Sequence, residues 1–294
     1  VYGEWGIMIR YSRRISVLVA AAVLVAAMLI GTSIPGVVSA SVNVSSGLTS
    51  VHEAALGEQC DGAIVLDNPG QTTERVEIYQ TDYRFTADGH AYYDDPGTLP
   101  RSNASWIRLG QSTVDIPPRS SVTVPYRIQV PAGKGMVGTY WSMVMVEMAG
   151  SIDSEAPIES AKDEKSIVLG IKQKFRYGIQ IVTNIGSTGK KKVAFSNPAL
   201  QRVESSGELA LSVDLANAGE RMLTFSVWVE VYDKAGAKLG KFDGRDVKLY
   251  PDTSSRATIA LGSLAPGSYR VIVVADNHDE YVAAVRYSLE VSAP

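Results

Sequence analysis

Val122-Thr123-Val124-Pro125-Tyr126-Arg127-Ile128-Gln129-Val130 places an apolar side chain at every second position, the period of a strand with one buried and one wet face. Working outward, Ile116-Pro117-Pro118 breaks the chain just before it, and 139–148 (TYWSMVMVEM) follows. That second run is apolar, aromatic or β-branched nearly throughout, which predicts a strand covered on both faces at the centre of a core. Upstream, 62–68 carries Ile64, Val65 and Leu66 and stops at the turn Asn68-Pro69-Gly70, and 74–83 alternates Val76, Ile78 and Tyr79 with polar residues. Residues 85–93 hold Ala87-Asp88-Gly89 between two aromatic arms, a hairpin whose tip should be exposed. Trp106 and Ile107 interrupt a polar loop over 100–109.

Downstream, 149–166 is polar, acidic and Pro-containing and is expected to be a mobile loop. A strand resumes from Ile167 to Val182, and Gly186 to Lys192 (GSTGKKK) has the composition of an interdomain tether. Six further strand candidates follow at 209–215, 225–232, 238–249, 257–261, 269–275 and 281–291, separated by turns such as Asn217-Ala218-Gly219 and Asp276-Asn277-His278-Asp279. A 3.6-residue period is almost absent. The expected class is all-β: two tandem immunoglobulin-like β-sandwiches.

A chain of 294 residues suits two such domains, and its net charge of −3 is spread over interspersed acids and bases, which argues against nucleic acid as a partner. Arg10, Arg13 and Arg14 precede an uncharged run from Ile15 to Ile30, and Val38-Ser39-Ala40 offers the small residues of a cleavage site. Residues 1–40 therefore read as a signal peptide, with 1–7 an artefact of start-site choice, and the protein as exported to the periplasm or cell surface. A membrane would be met only through that segment if it stayed uncleaved. The expected layout is a first domain over 41–184, a linker over 185–192 and a second domain over 193–294. Cys60 is the only cysteine, so no internal disulfide can form and stability must come from packed cores.

The succession of an apolar strand ending at Asn68, Ile116-Pro117-Pro118 before an alternating strand, the aromatic run at 140–147, and Ile171-Lys172-Gln173-Lys174-Phe175-Arg176 resembles the periplasmic pilus-chaperone family. That resemblance covers the first domain. It implies a strand, entered after the mobile loop, that is lent to a pilus-type subunit while a basic residue holds the subunit's terminal carboxylate. By position, Ile167, Leu169 and Ile171 would be the lent side chains and Lys172 the anchor. The family also uses an arginine on its first strand, and 42–48 contains no basic residue. More weakly, the 85–93 hairpin and the Trp106 loop are similar to cell-surface proteins that bind WxL proteins and peptidoglycan.

Catalysis has little to build on. His52, His90 and His278 stand in different segments without companions at metal-ligand spacing and read as surface residues; Cys60 reads as a small apolar residue rather than a nucleophile. Asp276, Asn277 and Asp279 could offer oxygens to calcium, but turns need such residues for their own backbone. Lys190, Lys191 and Lys192 read as a solvated tether, and Tyr140, Trp141, Met143 and Met145 as core. Lys172, Lys174 and Arg176 alternate along one strand and so share one face. The reading is a non-enzymatic binding protein with no cofactor and no metal. It would recognise a secreted or surface polypeptide, such as a pilus-type subunit, through the edge strand 167–181. The partner-contacting residues would be Ile167, Leu169, Ile171, Lys172, Lys174 and Arg176. The rival is a structural or adhesive module that binds cell-wall polymer or a surface protein.

Overall fold

Alternating apolar residues with turn chemistry between them close, in a computed structural model, into two β-sandwiches. The structure describes residues 42–149, 152–155, 170–173, 175–205 and 207–292, the backbone alone at 152–155 and 170–173. The expected signal peptide lies outside the described residues. Among the described residues no helix is long and apolar enough to cross a membrane.

The first sandwich is built from β1 (Asn43–Val44), β2 (Thr49–Ala54), β3 (Gln59–Asn68), β4 (Glu74–Phe85), β5 (Ala91–Asp94), β6 (Ile107–Leu109), β7 (Thr113–Ile116), β8 (Ser120–Gln129), β9 (Gly138–Met148), β10 (Ile152–Glu155), β11 (Gly170–Gln173) and β12 (Arg176–Ile185). One sheet runs β1-β3-β8-β6 and the other β2-β12-β9-β4-β5, with β7 alongside β4. Strand β9 lies between β12 and β4, the central place its composition predicts. Ile64, Leu66, Val124, Ile128, Val144, Val146, Ile179 and Ile181 are all buried in the space between the sheets. Each such side chain contributes roughly 1.5–3 kcal/mol relative to an exposed one. The Trp106 loop departs from expectation: Trp106 ends a single 3₁₀ turn and is buried against Tyr140, ring centroids 4.8 Å apart.

The second sandwich contains β13 (Val193–Arg202), β14 (Leu209–Asn217), β15 (Leu223–Tyr232), β16 (Lys238–Asp243), β17 (Val247–Leu249), β18 (Ser254–Gly262), β19 (Gly267–Asp276) and β20 (Val282–Val291). Its sheets run β13-β14-β18 and β16-β15-β19-β20, with β17 alongside β15. Two differences from the sequence reading stand out. Strand β13 was absent from the six candidates, because its residues are mostly exposed and Pro198 interrupts the pattern at a bulge. The expected strand over 238–249 divides into β16 and β17, which pair with different stretches of β15.

One device recurs in both sandwiches. Asn68 is buried at the end of β3; its amide donates to the carbonyls of Thr72 and Ile116, and its oxygen accepts from the Gly70 N–H. Asn217 ends β14 in the same way, donating to the carbonyls of Arg221 and Leu249 and accepting from the Gly219 N–H. A buried amide with its bonds filled fixes the turn and ties it to β7 or β17.

The two sandwiches pack as one compact unit. Tyr250 is fully buried and lies parallel to Trp141 of the first sandwich at 4.9 Å, with Val182 in the same cluster and Phe85 edge-on at 6.3 Å. The hairpin of β4 and β5 exposes its tip at Asp88, Gly89 and His90 as expected, but its base docks: the Ala87 N–H donates to Ser254 Oγ at 2.9 Å. The segment read as a tether is pinned instead. The Glu220 N–H donates to the Lys190 carbonyl (2.7 Å), the Lys190 N–H to Glu220 Oε2 (3.0 Å) and the Thr139 N–H to the Glu220 carbonyl (2.8 Å). Lys191 is ion-paired with Asp279. Gly138, at φ +75°, is needed here, since a Cβ would strike the Glu220 carbonyl.

Candidate strand-docking edge

Strand β12 pairs antiparallel with β9 along its whole length, from Arg176↔Glu147 to Ile185↔Gly138. On its other side β2 pairs parallel, but only from Gln180↔Thr49 to Ile185↔Ala54. The chain reaches this position because the first strand changes sheets: β1 joins β3, and after Gly47 at φ +85° the chain crosses to β12. Residues 176–179 therefore have β9 on one side and, among the described residues, no strand on the other. Just before them in the chain, β11 pairs with β10 in a separate two-stranded sheet, Asp153 opposite Lys172 and Ser154 opposite Ile171. Among the described residues, Arg176 to Ile179 thus form an open edge of backbone donors and acceptors.

The expected edge strand over 167–181 is corrected at its far end, and its first residues, 167–169, lie outside the described residues. Gln180 and Ile181 are covered by β2, and the described parts of the stretch are β11 and β12. Ile167, Leu169 and Lys174 lie outside the described residues; Ile171 and Lys172 are placed on β11 by their backbone. The loop expected over 149–166 contains a strand, β10, over 152–155. The single-face reading of Lys172, Lys174 and Arg176 spans two elements joined through Lys174.

Arg176 is exposed at the root of this hairpin and already engaged. Its Nη1 lies 3.5 Å from the Tyr79 hydroxyl, which donates to Glu147 Oε2 at 2.6 Å, and 4.0 Å from Glu147 itself. The bond to Tyr79, and behind it the Glu147 charge, raise the Arg176 pKa further, so it stays cationic. At the other end of the open stretch, Gln180 Oε1 accepts from Thr49 Oγ1 (3.2 Å) and from the Tyr250 hydroxyl (2.6 Å). Lys248, exposed and two residues before Tyr250, has its Nζ 3.4 Å from Thr49 Oγ1. Leu48 and Val51, 50% and 47% exposed, flank that point. Sequence reasoning missed this end because Thr49, Gln180 and Tyr250 lie far apart in the chain and none belongs to a motif.

The sequence matches no family model and no curated protein. Solved structures similar to this chain include pilus chaperones. A chaperone–tip adhesin complex of CFA/I fimbriae biogenesis is 12% identical, with 86% of this chain and 100% of that one covered at a TM-score of 0.44. The class 5 fimbriae chaperone CfaA is 11% identical over 86% of this chain and 99% of that one, at 0.43. The chaperone from the CsuC–CsuE pre-assembly complex of Acinetobacter baumannii archaic Csu pili is 12% identical over 84% and 98%, at 0.42.

The remaining candidates resolve differently. Among the described residues no cluster of three His, Cys, Asp or Glu could hold a metal. Asn277 Oδ1 accepts from the Thr224 N–H of β15 and Asp279 from the Tyr281 N–H, so the calcium-like turn spends these oxygens on backbone donors. Cys60 lies within β3 and is half-buried; burial, then the charges of Glu58 and Asp61, push its thiol pKa up, away from a nucleophilic thiolate. His52 is half-buried rather than fully at the surface: its Nε2 lies 3.0 Å from both Ser50 Oγ and the Tyr126 hydroxyl, with burial lowering its pKa. Tyr126 reaches β2 because its cross-strand neighbour is Gly62, whose missing Cβ leaves room for the ring. Met143 and Met145 are buried, but with Trp141 they occupy the outer face of β9 rather than the space between the sheets.

Proposed function

We propose that this protein is an exported, non-enzymatic binding protein that acts as a chaperone-like partner of a secreted or surface polypeptide, a pilus-type subunit being the concrete case. Recognition is by strand addition along the open edge from Arg176 to Ile179 and the stretch before it, with the apolar side chains of Ile167, Leu169 and Ile171 presented to the partner and the cation of Lys172 available to a carboxylate. The observation that carries this reading is that one strand has its second half covered by β2 and its first half open. Main-chain hydrogen bonds along such an edge supply affinity, and alternate side chains supply register. Arg176, tied to Tyr79 and Glu147, supports the root of the edge, and the exposed Lys248 adds a second cation at its far end.

The test is to capture, with the chain from Ser41 onward, what binds it from its own cell envelope. A small secreted polypeptide held in stoichiometric amount, lost on deleting 167–171 and weakened at least tenfold by Lys172→Ala, supports the reading. Cell-wall polymer, or nothing, would turn it over in favour of a structural or adhesive module.

A further inference from the structure

Tyr250 belongs to the second sandwich, yet its hydroxyl ends at the one position on β12 where the edge changes from open to covered. Gln180 is the first residue of β12 with a partner in β2, Thr49, and its N–H donates to the Leu48 carbonyl at 2.9 Å. Its side-chain oxygen is held from two sides, by Thr49 Oγ1 at 3.2 Å and Tyr250 at 2.6 Å. Farther along, β2 is fastened through Ser50 and His52 to Tyr126 and through Glu53 to Asn184 and Arg221. Its first residue has the Gln180 seat and the surface cation of Lys248.

Strand ends fray where backbone bonds face water, and a short edge strand in parallel pairing holds less firmly per residue than an antiparallel one. A side-chain seat at the first pair therefore decides where the covered stretch begins. Tyr250 is suited to provide it: its ring is clamped against Trp141, its carbonyl accepts from the Thr253 N–H (3.1 Å) and Oγ1 (2.8 Å), and the next residue back, Leu249, is tied to Asn217. Burial raises its pKa strongly, so it remains a donor at any physiological pH.

We propose that Tyr250 is a positioning residue: reaching across from the second sandwich, it fixes the point on β12 at which the edge passes from open to covered, and so sets the length of edge an incoming strand can use. The consequence for a partner rests on the docking reading above; the boundary itself can be tested with no partner present. Losing the seat would let the start of β2 fray from β12 and lengthen the open stretch beyond Ile179.

The experiment is residue-resolved amide hydrogen exchange on the full chain and on Tyr250→Phe, which keeps the ring stack and removes the hydroxyl. Exchange at the Gln180 amide and at 49–51 is expected to quicken tenfold or more, while Val124, Ile128, Val229 and Val271 stay within twofold. No change at Gln180, or an equal rise throughout both sandwiches, would overturn the proposal, the latter assigning Tyr250 to packing alone. If Tyr250→Phe does not fold, Gln180→Met removes the acceptor at similar side-chain length, and the same two patterns decide. A normal boundary effect with no partner ever captured would leave the positioning role standing and fell the docking reading.

Discussion

The two sandwiches share a plan, and the first adds to it around its last strand. The order β12-β9-β4-β5 with β7 beside β4 is matched by β20-β19-β15-β16 with β17 beside β15, and Asn68 and Asn217 make the same bonds at the same corner. In the second sandwich the hairpin into the last strand turns within 277–281, where Asn277 and Asp279 serve the turn. In the first, the corresponding connection occupies 149–175 and carries β10 and β11, and the last strand is half covered by β2. Loops elaborated on a common scaffold are where function is most often carried, and this connection is where the proposed docking can be tested.

That contrast can be broken directly. Replacing 150–174 with a short turn like 277–281 is expected to leave unfolding within about 1 kcal/mol of the parent, since both cores stay intact, while affinity for the captured polypeptide falls at least a hundredfold; titration calorimetry beside urea unfolding reads both. Trp141→Ala should cost about 3–4 kcal/mol, because it empties the seat of Tyr250, and should lower the midpoints of both sandwiches together. Asn68→Ala and Asn217→Ala should each cost about 2–3 kcal/mol by leaving buried carbonyls unpaired, and by similar amounts if the corners are equivalent. A difference above about 1.5 kcal/mol in urea would show that the shared plan is not shared energetics.

The smallest effect should be the acid limb of the stability curve. Burial lowers the His52 pKa in the folded protein, so the unfolded chain binds the extra proton first. Stability from this residue is complete above the ordinary histidine value of about 6.5 and declines as pH falls below it. Thermal unfolding of His52→Gln between pH 5 and 8 should show a flatter limb than the parent. His52 has no counterpart in the second sandwich, so this limb traces to the first.

Much of the fold was legible because it rests on local periodicity. The run from Val122 to Val130, the near-continuous apolarity of 139–148 and the Asn-x-Gly corners each announce a strand or its end. Strand β13 was hidden because an exposed edge with Pro198 has no alternation to read. The candidate edge was less open to such reading. The family resemblance and the alternation of Lys172, Lys174 and Arg176 single out 167–181, but the limits of the open part of β12 depend on β2 and Tyr250, brought there by long-range pairing. The pinned linker was misread for a related reason, since Gly, Ser and Lys describe a flexible chain only when no turn such as 217–221 lies against it.

The seam at Trp141 and Tyr250 bears on how such a protein can be inherited. A string of independent modules can be cut, duplicated or exchanged at its linkers. Here, cutting at 186–192 would bare Trp141 and Val182 on one half and Tyr250 on the other, two apolar faces that water would drive to find new partners. The two sandwiches are a single unit of exchange, and a change of partner at the open edge has to evolve with both halves in place.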